Sequence, residues 1–123
     1  MLDVTLKQRY MKVLLVNGSP HKEGCTYTAL KEVEKELLAE GIDTEIIWLG
    51  VKPISGCLGC GQCIRRGPNG EKPSLRCFMN DCVNEFLDKA EQADGFIFGS
   101  PVHYAALSGA LTSFMDRAFY GKG

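Results

Sequence analysis

The sequence predicts an α/β protein in which a parallel sheet lies between helices, and three observations support this. Three short apolar runs have the character of buried strands, at 12–17, 44–49 and 95–99. Three segments with apolar residues at helical spacing are predicted helices, at 26–40, 81–93 and 107–120. The two kinds of segment alternate along the chain, which is typical of strand–helix–strand units with parallel strands.

The first half of the chain contains one such unit. The run KVLLVN is apolar throughout and is stopped by Gly18-Ser19-Pro20. The helix that follows is amphipathic, and Gly41 stands where a helix commonly ends. TEIIWL is rich in strand-forming residues and is stopped by Gly50.

The second half begins with a long loop, 51–80, which glycine and proline interrupt repeatedly. A loop of this length in a compact domain usually carries function. Asn80 or Asp81 is available to cap the next helix. GFIFG is the third strand, and a last helix runs to about Tyr120. Because each unit takes about 30 residues, the chain holds only about three strands.

Length and composition limit the class of protein. With 123 residues, 45% hydrophobic and 24% charged, the chain is expected to form one globular domain. A net charge of -1 gives no overall positive field, so neither nucleic acid nor membrane is an expected partner. No apolar run is long enough for a membrane span or an export signal, and we expect a cytoplasmic protein.

The loop after the first strand, 18–26, is a candidate phosphate site. A loop between a parallel strand and a helix presents free backbone N–H groups and the positive end of the helix dipole. Ser19 and Thr26 add hydroxyl donors, and Lys22 adds a positive charge. The alternative is a plain turn in which Ser19 is a local cap.

The loop after the third strand, GSPVHY at 99–104, is expected at the same edge of the sheet, because parallel strands bring their carboxyl ends together. Pro101 stiffens this turn, while His103 and Tyr104 offer flat surfaces for a heteroaromatic ring. The two loops are thus predicted to hold the two ends of one ligand. The alternative for His103 and Tyr104 is ordinary packing.

The third candidate site is a cluster of cysteines in the long loop. The chain has six cysteines, and reduced thiols or metal ligands are favoured over disulfides because no export signal is visible. Three interpretations remain open: an iron–sulfur cluster, zinc, or thiols without metal. The cluster would use Cys57, Cys60, Cys63 and Cys77, whereas zinc would use Cys57, Cys60, Cys77 and Cys82.

Taken together, these motifs resemble a known family. VLLVNGSPHKEGCT, GCLGCGQC, the GSPVHY loop and SGALTSFMDR are similar to flavodoxin-like NAD(P)H-dependent FMN reductases, which include iron–sulfur flavoproteins. The resemblance covers nearly all of 11–117, and it makes 11–123 the flavodoxin-like domain and 1–10 an N-terminal extension. It implies a three-layer α/β/α fold.

The resemblance also implies cofactors and the residues that bind them. The FMN phosphate is expected among Ser19, His21, Lys22, Cys25 and Thr26, and its ring against Ser100, Pro101, Val102, His103 and Tyr104. NAD(P)H is the implied electron donor, and no side chain is expected to be catalytic. Cys57, Cys60, Cys63 and Cys77 match the cysteine positions that hold a four-iron four-sulfur cluster in some members.

The resemblance leaves three functions open. The first is an oxidoreductase that passes electrons from NAD(P)H through FMN to a small acceptor such as a quinone, a flavin or a nitro compound. The others are an iron–sulfur flavoprotein that carries electrons and a truncated, non-enzymatic remnant. Because family members continue through two more strands and helices, the exposed third strand predicts either a homo-oligomer or a fragment whose remainder is absent.

Overall fold

The computed structural model describes residues 10–121, so the predicted extension at 1–10 lies outside the described residues except for Tyr10. The main strands are β1 (Lys12–Asn17), β2 (Asp43–Trp48) and β3 (Gly95–Gly99). The helices are α1 (Cys25–Ala39), α2 (Cys82–Ala90) and α3 (Gly109–Tyr120). Each predicted element is therefore present, with its ends displaced by a few residues.

The three strands form one parallel sheet in the order β2-β1-β3. Leu15 at the centre of β1 is opposite Ile46 of β2 and Ile97 of β3. β1 is thus the central strand, and its residues 13–17 are buried. The carboxyl ends of all three strands meet at one edge of the sheet, as the sequence predicts.

Helices cover both faces of this sheet because the side chains of β1 alternate between them. Leu14 and Val16 pack against a core that includes Phe86 of α2 and Phe114 of α3. Leu15 and its neighbour Val13 pack on the other face against Leu30 of α1. The flavodoxin-like three-layer architecture is confirmed.

A small hairpin between β3 and α3 departs from the prediction. β4 (Val102–His103) pairs antiparallel with β5 (Ala106–Leu107), where the sequence predicts a loop and the start of a helix. Leu107 pairs with Val102 instead of entering the helix, and Ser108 caps α3 by accepting a hydrogen bond from the Leu111 N–H.

The long loop between β2 and α2 is confirmed, with a single turn of 3-10 helix, Gln62–Ile64, as its one regular element among the described residues. Within residues 10–121, no helix combines the length and the hydropathy that crossing a membrane requires.

Candidate functional site

Backbone and side-chain hydrogen bonds join the loops that follow β1 and β3. The N–H of Gly18 donates to the carbonyl of Gly99 over 2.8 Å. Ser108, which is buried, donates from Oγ to the carbonyl of Gly18 over 2.8 Å. Its own N–H donates to Ser100 Oγ over 2.9 Å. The two predicted ligand-binding loops are therefore neighbours at one edge of the sheet.

Two glycines allow this close approach. A Cβ atom on Gly18 would lie 2.8 Å from Leu111 Cβ, too close for any side chain. A Cβ atom on Gly99 would lie 2.9 Å from Thr26 Cγ2, so a larger residue would push the start of α1 away from β3. Each loop can therefore take its position only because glycine has no side chain at that point.

The first loop is shaped by Asn17, a fully buried polar residue at the end of β1. Its Oδ1 accepts from the Ser19 N–H at 3.0 Å, and its Nδ2 donates to the Lys22 carbonyl at 3.2 Å. Ser19 is also buried, and its Oγ accepts from the His21 N–H at 3.1 Å. The loop is ordered by its own polar groups.

The loop leads into the N-terminus of α1, which has the properties of an anion site. The capping residue is Gly24, so no side chain satisfies the N–H groups of the first turn. The helix dipole adds partial positive charge there. Cys25 and Thr26 lie in that turn, the first exposed and the second partly buried. A phosphate is the class of ligand that this end of α1 suits.

Lys22 lies on the outer side of the loop. Its Nζ is 5.8 Å from the centroid of the Trp48 ring, in a separate cleft between α1 and β2. Nearby His21 is exposed. The structure thus places all five predicted phosphate residues around one loop and helix start, with Lys22 displaced toward β2.

A cleft of about 410 Å³ opens beside the first loop, within the size range of small-molecule sites. Residues that follow all three strands line it, with α3 at one side; they are Gly18, Pro20, 50–54, His103, Ser108, Gly109, Ala110 and Ser113. Of the five predicted ring-contacting residues, His103 lines this cleft. The cleft borders the first loop at Gly18 and Pro20.

The other predicted ring residues lie around the β4–β5 hairpin. Ser100 and Pro101 are partly buried, whereas Val102 and Tyr104 are exposed, Tyr104 completely. Tyr104 and Ala105 form the two-residue turn, with φ of 49° and 60°. Both residues are in the left-handed region that favours glycine or asparagine, so the turn is strained.

The cysteine loop borders α3 at Arg117 and Tyr120, which lie one to two helical turns beyond Ser113 of the cleft. Four of its thiols line a single cavity of about 20 Å³, together with Arg117 and Tyr120; they are Cys57, Cys60, Cys63 and Cys77. The donor set has the chemistry of an iron–sulfur site. The positions of these thiols do not match such a site, because within residues 10–121 no three Cys, His, Asp or Glu side chains are placed to hold a metal ion.

Cys82, which the zinc interpretation requires, lies at the start of α2 and packs against the core. Burial is the main cause that raises the pKa of its thiol. The structure does not bring Cys82 to the cavity that the other cysteines line.

Arg117 holds the cysteine loop against α3. Its side chain is almost completely buried and donates two hydrogen bonds to the Asp81 carboxylate, each 2.7 Å. Hydrogen bonding to Asp81 is the main cause that raises the Arg117 pKa. The guanidinium also donates to the carbonyls of Ser55 and Met79 and to Cys77 Sγ, at 3.3, 2.9 and 3.3 Å.

Sequence reasoning missed four residues that organise these sites: Asn17, Trp48, Ser108 and Arg117. Ser108 carries a recognisable signal, since serine just before an apolar helical run is a typical cap. Asn17 is a polar residue ending an otherwise apolar strand. Arg117 gives no signal, because its partners are distant in sequence.

Comparison with known proteins agrees with this geometry. Residues 11–123 match the family model described as NADPH-dependent FMN reductase. An iron–sulfur flavoprotein of Methanocaldococcus jannaschii is 39% identical over 108 residues, 88% of this chain and 52% of that protein. The FMN reductase (NADPH) of Escherichia coli is 27% identical over 116 residues, 91% and 52% of the two chains.

Among solved structures, Smu.1420 from Streptococcus mutans superimposes with a TM-score of 0.60 at 21% identity. The match covers 89% of this chain and 53% of that one, and it supports the fold. The chain spans about half the length of the curated relatives it matches. Because the family model covers the whole described domain, the chain belongs to the NADPH-dependent FMN reductase family.

Proposed function

We propose that this chain binds FMN and transfers electrons from NAD(P)H to a small acceptor, such as a quinone, a free flavin or a nitro compound. The observation that carries the proposal is the hydrogen-bonded union of the loops after β1 and β3 beside one cleft. In open α/β sheets, ligands bind at this edge. The family match supports the choice of FMN among such ligands.

The residues of the first loop bind the phosphate in this proposal. The first-turn N–H groups of α1 and the Thr26 hydroxyl donate to it, and Ser19 and Lys22 keep the loop in shape and positively charged. His21 and Cys25 lie at the exposed side of the same loop.

The ring portion is assigned to the cleft and to residues 100–104, which lead into the hairpin and form its first strand and the start of its turn. His103 lines the cleft, and Pro101 fixes the direction of the chain. Bound FMN would supply the chemistry of hydride acceptance and electron transfer. The protein orients the ring and excludes water, and no acid or base side chain is required.

We also propose that a second copy of the chain covers the outer edge of β3. β3 pairs with β1 on one side, and a row of aromatic rings, Phe96, Phe98 and Phe119, follows it with centroids 6.4 and 5.8 Å apart. Phe96 is 38% exposed, although it lies in a strand. Analytical ultracentrifugation tests this, and a Phe96→Lys variant is expected to shift a dimer to monomer.

The test of FMN binding is a titration of the purified chain. Quenching of FMN fluorescence and flavin bands in the visible spectrum after gel filtration are expected, followed by bleaching under NADH or NADPH without oxygen. A chain that neither quenches FMN nor carries it through gel filtration would contradict the proposal. That result would favour the non-enzymatic remnant.

An iron–sulfur flavoprotein is the second candidate. Four cysteine thiols line one cavity, although within residues 10–121 they are not placed to hold a metal ion, and the Methanocaldococcus jannaschii relative bears that name. Anaerobic reconstitution with iron and sulfide tests it. A broad visible absorption that is lost on reduction, and is absent from a Cys60→Ser variant, is expected for a cluster. If the chain does not incorporate iron, the interpretation that remains is thiols without metal.

A further inference from the structure

The last residue of β2, Trp48, contacts the candidate phosphate loop although it belongs to none of the motifs described above. Its indole Nε1 donates to the carbonyl of Ser19 over 2.8 Å. The Lys22 ammonium lies over the same ring, 5.8 Å from its centroid. One side chain therefore contacts the start of the loop through a hydrogen bond and its middle through a cation–π interaction.

The position of Trp48 follows from the sheet. Its partner in register is Asn17, the last residue of β1, so Trp48 lies beside the point where the loop begins. Alternation along β2 places it on the same face as Ile46, which packs against Leu15 and Leu30. The indole thus rises from the face that α1 covers.

Asn17 and Trp48 hold the loop from two strands. Asn17 accepts from the N–H of Ser19, while Trp48 donates to the carbonyl of the same residue. Asn17 also donates to the Lys22 carbonyl, and the Lys22 side chain rests on Trp48. The backbone of Ser19 and the Lys22 carbonyl are therefore held by hydrogen bonds, while the Lys22 side chain lies over the Trp48 ring.

From this arrangement we infer that Trp48 is a positioning residue that selects the phosphorylated flavin. It holds the loop in its phosphate-binding form through the Ser19 carbonyl, and it holds the Lys22 side chain on the outer side of that loop. Because these contacts act at the phosphate end alone, Trp48 sets the affinity for FMN and has little influence on riboflavin, which lacks the phosphate. The inference rests on the proposed function.

Two substitutions separate the contacts. Trp48→Phe keeps a ring beneath Lys22 and removes the donor to Ser19, whereas Trp48→Leu removes both. Dissociation constants for FMN and riboflavin are measured by flavin fluorescence quenching. We expect FMN to bind about 5-fold more weakly to Trp48→Phe and about 30-fold more weakly to Trp48→Leu, with riboflavin changed less than about 2-fold.

The matched control is Ile46→Val, on the same face of β2 but away from the loop. It is expected to leave the ratio of the two dissociation constants unchanged, even if it lowers the melting temperature. Equal weakening of FMN and riboflavin in the Trp48 variants would reduce Trp48 to a structural residue and overturn the inference. Unchanged FMN affinity would overturn it as well.

The proposed function fails in a different way. If the unmodified chain binds neither flavin, both proposals fall together. If it binds FMN and the Trp48 variants keep its preference for FMN over riboflavin, the proposed function stands and the role of Trp48 does not.

Discussion

The edge of the sheet that carries the candidate flavin site is formed by the loops 18–26 and 99–104, and we call it the rim. It is built differently from the loop that carries the cysteines. At the rim, the loops that follow β1 and β3 are joined by hydrogen bonds through Gly18 and Ser108. The cysteine loop has one 3-10 turn among its described residues, and Cys57 and Cys60 are exposed. Several of its hydrogen bonds converge on Arg117. A site on a sheet edge is ordered in advance, whereas the cysteine loop depends strongly on one side chain.

The variant with the largest expected effect destabilises the cysteine loop and leaves the rim largely unchanged. Arg117→Met removes the donors to Asp81, Ser55 and Met79 and leaves the Asp81 carboxylate without its ion-pair partner. We expect the free energy of unfolding to fall by about 3 kcal/mol, measured by urea denaturation. The cysteines should react faster with a thiol reagent, while FMN affinity changes less than about 3-fold.

Two further variants make that prediction sharper. Arg117→Lys keeps the charge and loses the planar fork, so an intermediate loss of stability is expected. Arg66→Met, at an exposed arginine of the same loop, should change stability by less than about 0.5 kcal/mol. Loss of FMN binding with unchanged thiol reactivity would show that Arg117 serves the rim instead.

The second effect concerns the rim itself. Thr26→Val removes a hydroxyl from the first turn of α1 and keeps the side-chain shape, so FMN should bind about 10-fold more weakly while riboflavin is little affected. Thr28→Val is the control, because the Thr28 hydroxyl donates to the Gly24 carbonyl and lies on an exposed part of the helix. Equal weakening by both variants would contradict the assignment of the phosphate to Thr26.

The sequence was sufficient for the sheet, the helices and the meeting of the two loops, because periodicity and strand–helix alternation determine them. The hairpin at 102–107 was not predictable, since its turn is Tyr104-Ala105 and not the usual Asn-Gly. The joint action of Asn17 and Trp48 on one loop, and of Arg117 on another, arises from contacts between distant segments. Local sequence patterns do not report such contacts.

The hairpin provides the third prediction. Ala105→Gly relieves a left-handed backbone conformation, with φ of 60°, and should raise the free energy of unfolding by about 0.8 kcal/mol. Ala106→Gly, one residue later in β5, should lower it, because glycine there only adds freedom to the unfolded chain. Thermal unfolding of both variants is the measurement, and destabilisation by Ala105→Gly would contradict the strained turn.

The smallest expected effect comes from an ion pair between Glu45 of β2 and Lys89. The pKa of Glu45 is lowered mainly by its hydrogen bond from Lys89, so its carboxylate stabilises the fold above its ordinary pKa. This contribution disappears as the pH falls through the lowered value in the folded protein. Glu45→Gln should cost about 0.5 kcal/mol at pH 7, and this cost should shrink as the pH is lowered toward 3.

Urea denaturation at both pH values checks this prediction, with Glu36→Gln on the exposed side of α1 as the control. A difference between Glu45→Gln and the unmodified chain that is as large at pH 3 as at pH 7 would show that packing, and not charge, is responsible.

A crystal structure of the chain with FMN tests the joint binding by the two loops most directly. We predict the phosphate at the first turn of α1, between Ser19 and Thr26, and the ring in the cleft beside His103. A phosphate bound away from α1, or a ring on the cysteine loop, would contradict the account.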